Sequence, residues 1–293
     1  GMGPRDIMAR ALLLAGYTYP AVDLQTDAAL PRVVALGSPR YLPADVQRRL
    51  ADHVLGGGSL LLSGVLPDSD LDGRPCTILA DALGVRSGSL FPASHDYFTS
   101  VAGPGLPEVR VGYAQSLSCA GEPLLVEVGS GEPCGHRLTA GAGRAVVLAA
   151  DYPCHLGFWR DQVQWLGATP GLRPVPDVPG VIAVVTGDPH GRGLIHVLNV
   201  SPSPAAFLLG DLRLRLDARA GIILPANLPV GDAVLTSTTC ELVALEESAV
   251  VLRPTQPSSV AVFDTDRLTA DRGRVDGGRV TVTGPEPVRI SVG

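Results

Sequence analysis

Lysine is missing altogether from this chain of 293 residues: all 23 basic side chains are arginine. Codon bias in a GC-rich genome accounts for that without any arginine-rich recognition. The formal net charge of −6 leaves no basic face of the kind that nucleic acid requires, so nucleic acid is not an expected partner. Aromatic residues are scarce, at 4%, and beyond residue 180 there are two, Phe207 and Phe263. A surface that stacks on sugar rings has little to draw on there.

Long apolar runs are also lacking. Nothing approaches the ~20 residues that span a bilayer, so no membrane partner is expected. Leu12-Leu13-Leu14 is too short for the apolar core of a signal peptide, and no small-residue cleavage site follows it. The five cysteines (Cys76, Cys119, Cys134, Cys154 and Cys240) are irregularly spaced and form no C-x-x-C pair. Neither a zinc knuckle nor a disulfide framework is indicated, and a reducing, cytoplasmic compartment is the simpler expectation. No metal or cofactor fingerprint stands out.

What is present is organised around residues 42–66. Leu42, Val46, Leu50 and Val54 recur every four residues after Pro43, while Arg48, Arg49 and Asp52 fall on the other side. That is an amphipathic helix, stopped by Gly56-Gly57-Gly58. Val33-Val34-Ala35-Leu36 before it and Leu60-Leu61-Leu62 after it read as strands buried on both faces. The three together predict a βαβ unit. Further helices are expected over 6–16, 75–83 and 154–167, and strands over 21–25, 124–128, 137–139 and 144–150. Residues 85–115 carry a weak, loop-like signal.

Residues 168–180 hold four prolines and two glycines and mark a domain boundary. Beyond it the period shortens to that of strands, as in Leu212-Arg213-Leu214-Arg215-Leu216. The expected organisation is therefore an α/β domain over 1–168, a linker over 169–180 and an all-β domain, a β-sandwich, over 181–293.

Chemistry is harder to read. The triple glycine precedes a strand, whereas a phosphate cradle opens a helix, so it is a helix stop. Ser118-Cys119-Ala120-Gly121 matches half of a nucleophile elbow, but Leu117 stands where the first glycine belongs. Asp151, Cys154 and His155 follow the strand that ends at Ala150, at the end of an α/β sheet where ligands bind. They are the candidate catalytic residues, with His95 and His136 as partners that only the fold could supply. Asp68, Asp70 and Asp72 lack the distal glutamate of a calcium loop and read as a solvated turn. Asn199-Val200-Ser201 meets the N-glycosylation pattern.

Two stretches resemble a known family: ADVQRRLADHVLGGGSLLLSGVLPDSDLDGRPCTILADALGV (44–85), and LIHVLNVSPSP (194–204) with GIILPANLPVGDAVLTSTTCEL (221–242). They are similar to the region behind the catalytic barrel in bacterial family thirty-five and forty-two glycoside hydrolases, the β-galactosidases. The resemblance implies a flavodoxin-like domain, akin to a class I glutamine amidotransferase, followed by a β-sandwich. It further implies homo-oligomer contacts through the α/β domain, a carbohydrate ligand, and a catalytic barrel elsewhere in the parent protein. The family's two catalytic glutamates lie on that barrel and match no position here. A non-catalytic accessory role is therefore the leading expectation. The alternatives are a free-standing hydrolase or amidotransferase using Cys154 or Cys119, and a carbohydrate-binding module.

Overall fold

Strands buried on both faces need helices to cover them, and the segment from 33 to 64 supplies one such layer. In the computed structural model, which describes residues 4–92, 98–152, 155–187, 193–210 and 212–293, β1 (Val33–Ser38) leads into α2 (Ala44–Leu55) and then β2 (Ser59–Gly64). The helix α1 (Pro4–Leu14) precedes them. β1 and β2 pair in parallel with Val34 opposite Leu60, so the βαβ unit forms as its periodicity predicts. Pro43 sits at the N-cap of α2, one position before the helix proper. At the other end Gly57 takes φ +106°, and a Cβ on Gly58 would lie 2.2 Å from the His53 ring. The glycines stop the helix and let its last turn close over the chain.

The next elements are α3 (Ile78–Leu83), β3 (Arg86–Phe91), β4 (Thr99–Ala102), β5 (Val109–Val111) and β6 (Ala114–Ser118). They are followed by β7 (Glu122–Glu127), β8 (Pro133–Ala140), β9 (Gly143–Leu148) and α4 (Leu156–Trp165). Seven strands form one sheet in the order β1-β2-β9-β8-β7-β4-β5. β9 joins β2 in parallel, and from β8 onward the pairing is antiparallel. A doubly wound sheet is parallel across its width; here the parallel part stops at three strands, because β8 and β9 are joined by a tight turn at Gly141-Ala142 instead of a helical crossover. The chain as a whole is mostly strand.

Leu60 and Leu62 of β2 and Ala145 and Val147 of β9 pack with Val46, Leu50 and Val54 of α2 and Leu79 and Leu83 of α3. Leu61, Val146 and Leu148 alternate with them and are also fully buried, as strands covered on both faces require. α1 lies against β1, β2 and α4. α4 is held to the sheet through Trp165: the guanidinium groups of Arg137 and Arg144 lie 5.0 and 5.3 Å from its ring centre, and Arg144 donates to its carbonyl at 2.6 Å.

Two expected elements differ. Residues 21–25 form no strand; the segment is irregular, and Arg49, expected on the solvent side of α2, donates to the carbonyls of Leu24, Thr26 and Ala28. Residues 85–115 hold four strands where little order is expected.

The chain divides into two compact units, one of residues 1–15 and 19–169 and the other of 16–18 and 170–293. The second contains β10 (Pro174–Val175), β11 (Val181–Gly187), β12 (Gly193–Asn199), β13 (Ala205–Leu209), β14 (Leu212–Leu216) and β15 (Gly221–Ala226). These make two three-stranded sheets, β10-β13-β14 and β11-β12-β15, around Val197, Phe207, Leu214 and Leu224. Leu172 and Val178 pack on the same core, so the proline-rich stretch is part of the unit and contributes β10 to it.

β16 (Leu228–Val230), β17 (Ala233–Thr238), β18 (Cys240–Leu245), β19 (Ala249–Pro254) and β20 (Ser258–Phe263) follow. The chain ends with β21 (Leu268–Ala270), β22 (Arg274–Asp276), β23 (Arg279–Thr283) and β24 (Val288–Val292). A five-stranded sheet, β16-β17-β20-β23-β22, and a four-stranded one, β18-β19-β24-β21, enclose Leu235, Leu252, Phe263, Val282 and Ile290. Residues 181–293 thus carry two hydrophobic cores where a single sandwich is expected. Among the described residues no helix is long and apolar enough to cross a membrane.

Candidate functional site

The candidate residues at the end of β9 fall into separate structural jobs. Asp151 accepts the backbone amides of Gly112 at 2.8 Å and Tyr113 at 3.2 Å, closing the turn that leads into β6. Burial is the largest influence on its carboxyl and pushes its pKa up, with the amides of Tyr113 and Gly112 pulling partly the other way. Burial, and then the charge of Asp151, push the Tyr113 phenol well above its usual range. His155 is the N-cap of α4: its Nδ1 accepts the Phe158 amide at 3.2 Å, which satisfies one of the helix's orphan donors. Cys154 and His95 lie outside the described residues.

His136, on β8, is almost wholly buried, and both ring nitrogens face carbonyl oxygens, Nδ1 that of Gly121 at 3.4 Å and Nε2 that of Leu117 at 3.3 Å. It ties the end of β6 to β8. Cys119 Sγ accepts the Gly121 amide at 3.4 Å, as a side chain closing a turn does. Both line one cleft, but each is committed to the backbone, so the geometry does not make them a thiol–imidazole pair.

That cleft has a volume of about 400 Å³. It is lined by residues 86–88 of β3, residues 116–119 at the end of β6, and Glu132, Pro133 and His136 beside and on β8. The pairing of β3 with β6 slips between Ser87 and Leu90, which gives β3 an irregularity across from β6. The cleft holds hydroxyls, a guanidinium, a thiol, one carboxylate and the His136 imidazole, and no Phe, Tyr or Trp.

The remaining sequence candidates are accounted for locally. Asp68 pairs with Arg40 at 3.0 Å and accepts from Ser69 at 2.6 Å; burial raises its pKa but these two partners bring it below the ordinary value. Asp70 caps the amides of Asp72 and Arg74 at 2.9 and 2.8 Å. Among the described residues no group of three acids, histidines or cysteines could hold a metal ion. Asn199 is buried, with Nδ2 donating to the carbonyls of Ser203 and Asp217 and Oδ1 accepting from the Ser201 amide and hydroxyl. Its amide is a turn-former occupied on every side, with no room for a glycan. Phe207 and Phe263 are both core residues, so the aromatics beyond 180 offer no stacking platform. The described cysteines, 76, 119, 134 and 240, are free thiols, and burial pushes the Cys134 thiol up to about 12.

Sequence reasoning missed the buried polar residues that shape the region. Gln47 donates to the Leu42 carbonyl and accepts the Leu79 amide, tying α2 to the start of α3. Gln115 accepts the Leu66 amide at 3.1 Å, and Glu127 accepts from the Thr99 hydroxyl and the Ser130 amide, each at 2.6 Å. Gln47 falls beside Val46 on the apolar face of its helix, and that position was the one available signal.

Residues 3–118 match the family described as GLMA-like, second domain. Over 302 aligned residues the chain is 24% identical to the exo-β-D-glucosaminidase of Thermococcus kodakarensis, with 94% of this chain and 38% of that protein covered. Among solved structures, the β-galactosidase of Bacillus circulans sp. alkalophilus superposes with a TM-score of 0.62 at 14% identity, over 76% of this chain and 38% of that one. Gan42B, a GH42 β-galactosidase of G. stearothermophilus, gives a TM-score of 0.60 at 15% identity, over 74% and 35%. The chain spans less than two fifths of the length of these relatives. In fold the chain is similar to part of the β-galactosidases, and its residues 3–118 are similar to the second domain of GLMA-like proteins.

Proposed function

We propose that this chain serves as the accessory region of a β-galactosidase-like or glucosaminidase-like glycoside hydrolase, with hydrolysis carried out on a barrel of the parent protein. The observation that carries this reading is the carboxylate inventory of the described cleft. Glycoside hydrolysis by this chemistry takes two carboxyl groups about 5–10 Å apart across the scissile bond. The cleft offers Glu132 alone, and Asp151, the acid at the end of β9, is engaged with two backbone amides. The likeness to parts of a glucosaminidase and of β-galactosidases supports the choice of parent.

The kinship with amidotransferase-like domains belongs to the same reading. It rests on three parallel strands with helices on both faces, and on the absence of a complete elbow around Cys119, which would leave the domain architectural. Carrying homo-oligomer contacts, and approaching the parent's carbohydrate from outside the barrel, are the roles left for it.

The test is to assay the purified chain with 4-nitrophenyl β-D-galactoside and 4-nitrophenyl β-D-glucosaminide while measuring its mass by sedimentation. No turnover above buffer and a mass of more than one chain are expected. Turnover that is lost on replacing one carboxylate of this chain would sink the proposal.

A further inference from the structure

We propose that the cleft between β3, β6 and β8 binds the oxyanion head of a small molecule, a carboxylate or a phosphate. Ser116 carries the argument. It is 7% exposed, lines the cleft, and its hydroxyl makes no hydrogen bond to any described residue. The hydroxyl opens on the cleft, where a bound acceptor would replace water with a fixed partner.

The approach to that hydroxyl is built into β3. The register slip places Gly88 across from Ser116, and a Cβ on residue 88 would stand 2.5 Å from Ser116 Oγ. Any side chain there would occupy the space that a ligand atom needs. Two positions away on β3, Arg86 pairs with Ser118 across the strands and brings a guanidinium to the same cleft, with no ion pair to any described residue. A hydroxyl and an unpaired guanidinium together make a donor set that matches a carboxylate or phosphate, since arginine meets either in a two-pronged fashion. His136 is not the anchor, because its ring nitrogens already face the carbonyls of Leu117 and Gly121; it holds the wall in place.

The rest of the lining argues about the remainder of the ligand. The volume of about 400 Å³ suits a single sugar-sized molecule. With no Phe, Tyr or Trp in the wall and the His136 ring held between two carbonyls, a neutral sugar face has little to stack on, so recognition falls to the anionic group. Glu132 is the one acidic side chain of the lining and suits the hydroxyls or ammonium of such a ligand.

The experiment is calorimetric titration of the full chain with inorganic phosphate, D-galacturonate and D-galactose, in wild type and in Ser116→Ala, Gly88→Ala and Arg86→Gln. Saturable binding of phosphate, galacturonate or both is expected, the pattern telling a phosphate ligand from a carboxylate one, with galactose silent. Ser116→Ala and Arg86→Gln should each weaken the Kd by about tenfold, the loss of one charge-assisted hydrogen bond. Ser116→Ala removes no protein contact, so its melting temperature should stay that of the wild type, and Arg213→Gln, in the other unit, should bind normally. Binding of neither anion, binding of galactose as tight as galacturonate, or unaltered affinity in a folded Ser116→Ala would each overturn the proposal.

Discussion

The carboxylate of Asp151 accepts the amide of Gly112 at 2.8 Å, and the approach depends on the glycine, since a Cβ there would lie 2.9 Å from Asp151 Oδ2. An acid at the end of a parallel strand, where sequence reasoning looks for catalysis, here fastens the turn before β6.

That role has a pH signature. Because folding raises the pKa of Asp151, the ionised form is disfavoured in the folded state, and wild-type stability from this group is present below pH 3.8 and is lost as pH rises through the raised value. Asp151→Asn keeps an acceptor for both amides and removes the charge. It should match or exceed the wild type at pH 7 and lose that advantage by pH 3, as read from urea unfolding. Asp151→Ala leaves two amides without an acceptor and should cost about 1–2 kcal/mol at pH 3, and less at pH 7, where the wild type has lost this group's contribution.

Glu127 should behave with the opposite sign. Burial pushes its pKa up, but the Thr99 hydroxyl and the Ser130 and Gly129 amides outweigh burial and hold it below 4.5. Its contribution is present above pH 4.5 and lost as pH falls through the lowered value. Glu127→Gln should therefore be less stable than wild type at pH 7, and the gap should close as pH falls through the lowered value in the same unfolding series.

Asn199 gives a test in the other unit. Asn199→Asp points an oxygen at the carbonyls of Ser203 and Asp217, where Nδ2 now donates at 2.8 and 2.9 Å. Loss of about 1–3 kcal/mol is expected from leaving such buried groups unpaired. The loss should be larger at pH 7 than at pH 4, because only the ionised aspartate adds charge repulsion. Thermal melts at the two pH values check this.

Arg49 offers a local readout. Its guanidinium gathers the carbonyls of Leu24, Thr26 and Ala28, and these residues have little other structure. Arg49→Ala should speed amide exchange across 24–28 while leaving α2 protected. Global stability should fall by no more than about 1 kcal/mol, as the loop is largely exposed.

Much of the fold was legible in the sequence where one face of an element meets a core. The four-residue spacing in α2, the apolar runs of β2 and β9, and the alternation Leu212–Leu216 each reflect burial that repeats with the local geometry, whereas β1, at the sheet edge, buries Val34 but leaves Ala35 exposed instead of being covered on both faces. The strands of residues 85–115 were not legible because β3 is exposed along most of its length and slips its register with β6, so no period survives. The ends of elements were approximate for the same reason: α3 begins at Ile78, three residues inside the apolar stretch that predicts it.

By itself the sequence determined that residues 33–64 form a buried βαβ unit and that strands dominate beyond the proline-rich stretch, because burial at a fixed period is a local property of the chain. Only the tertiary structure decided that the sheet turns antiparallel after β9 and that Asp151 and His155 serve a turn and a helix end. It likewise decided that Arg86, Gly88 and Ser116 meet at one cleft. Those outcomes depend on which strands become neighbours across tens of residues, and no spacing along the chain encodes that.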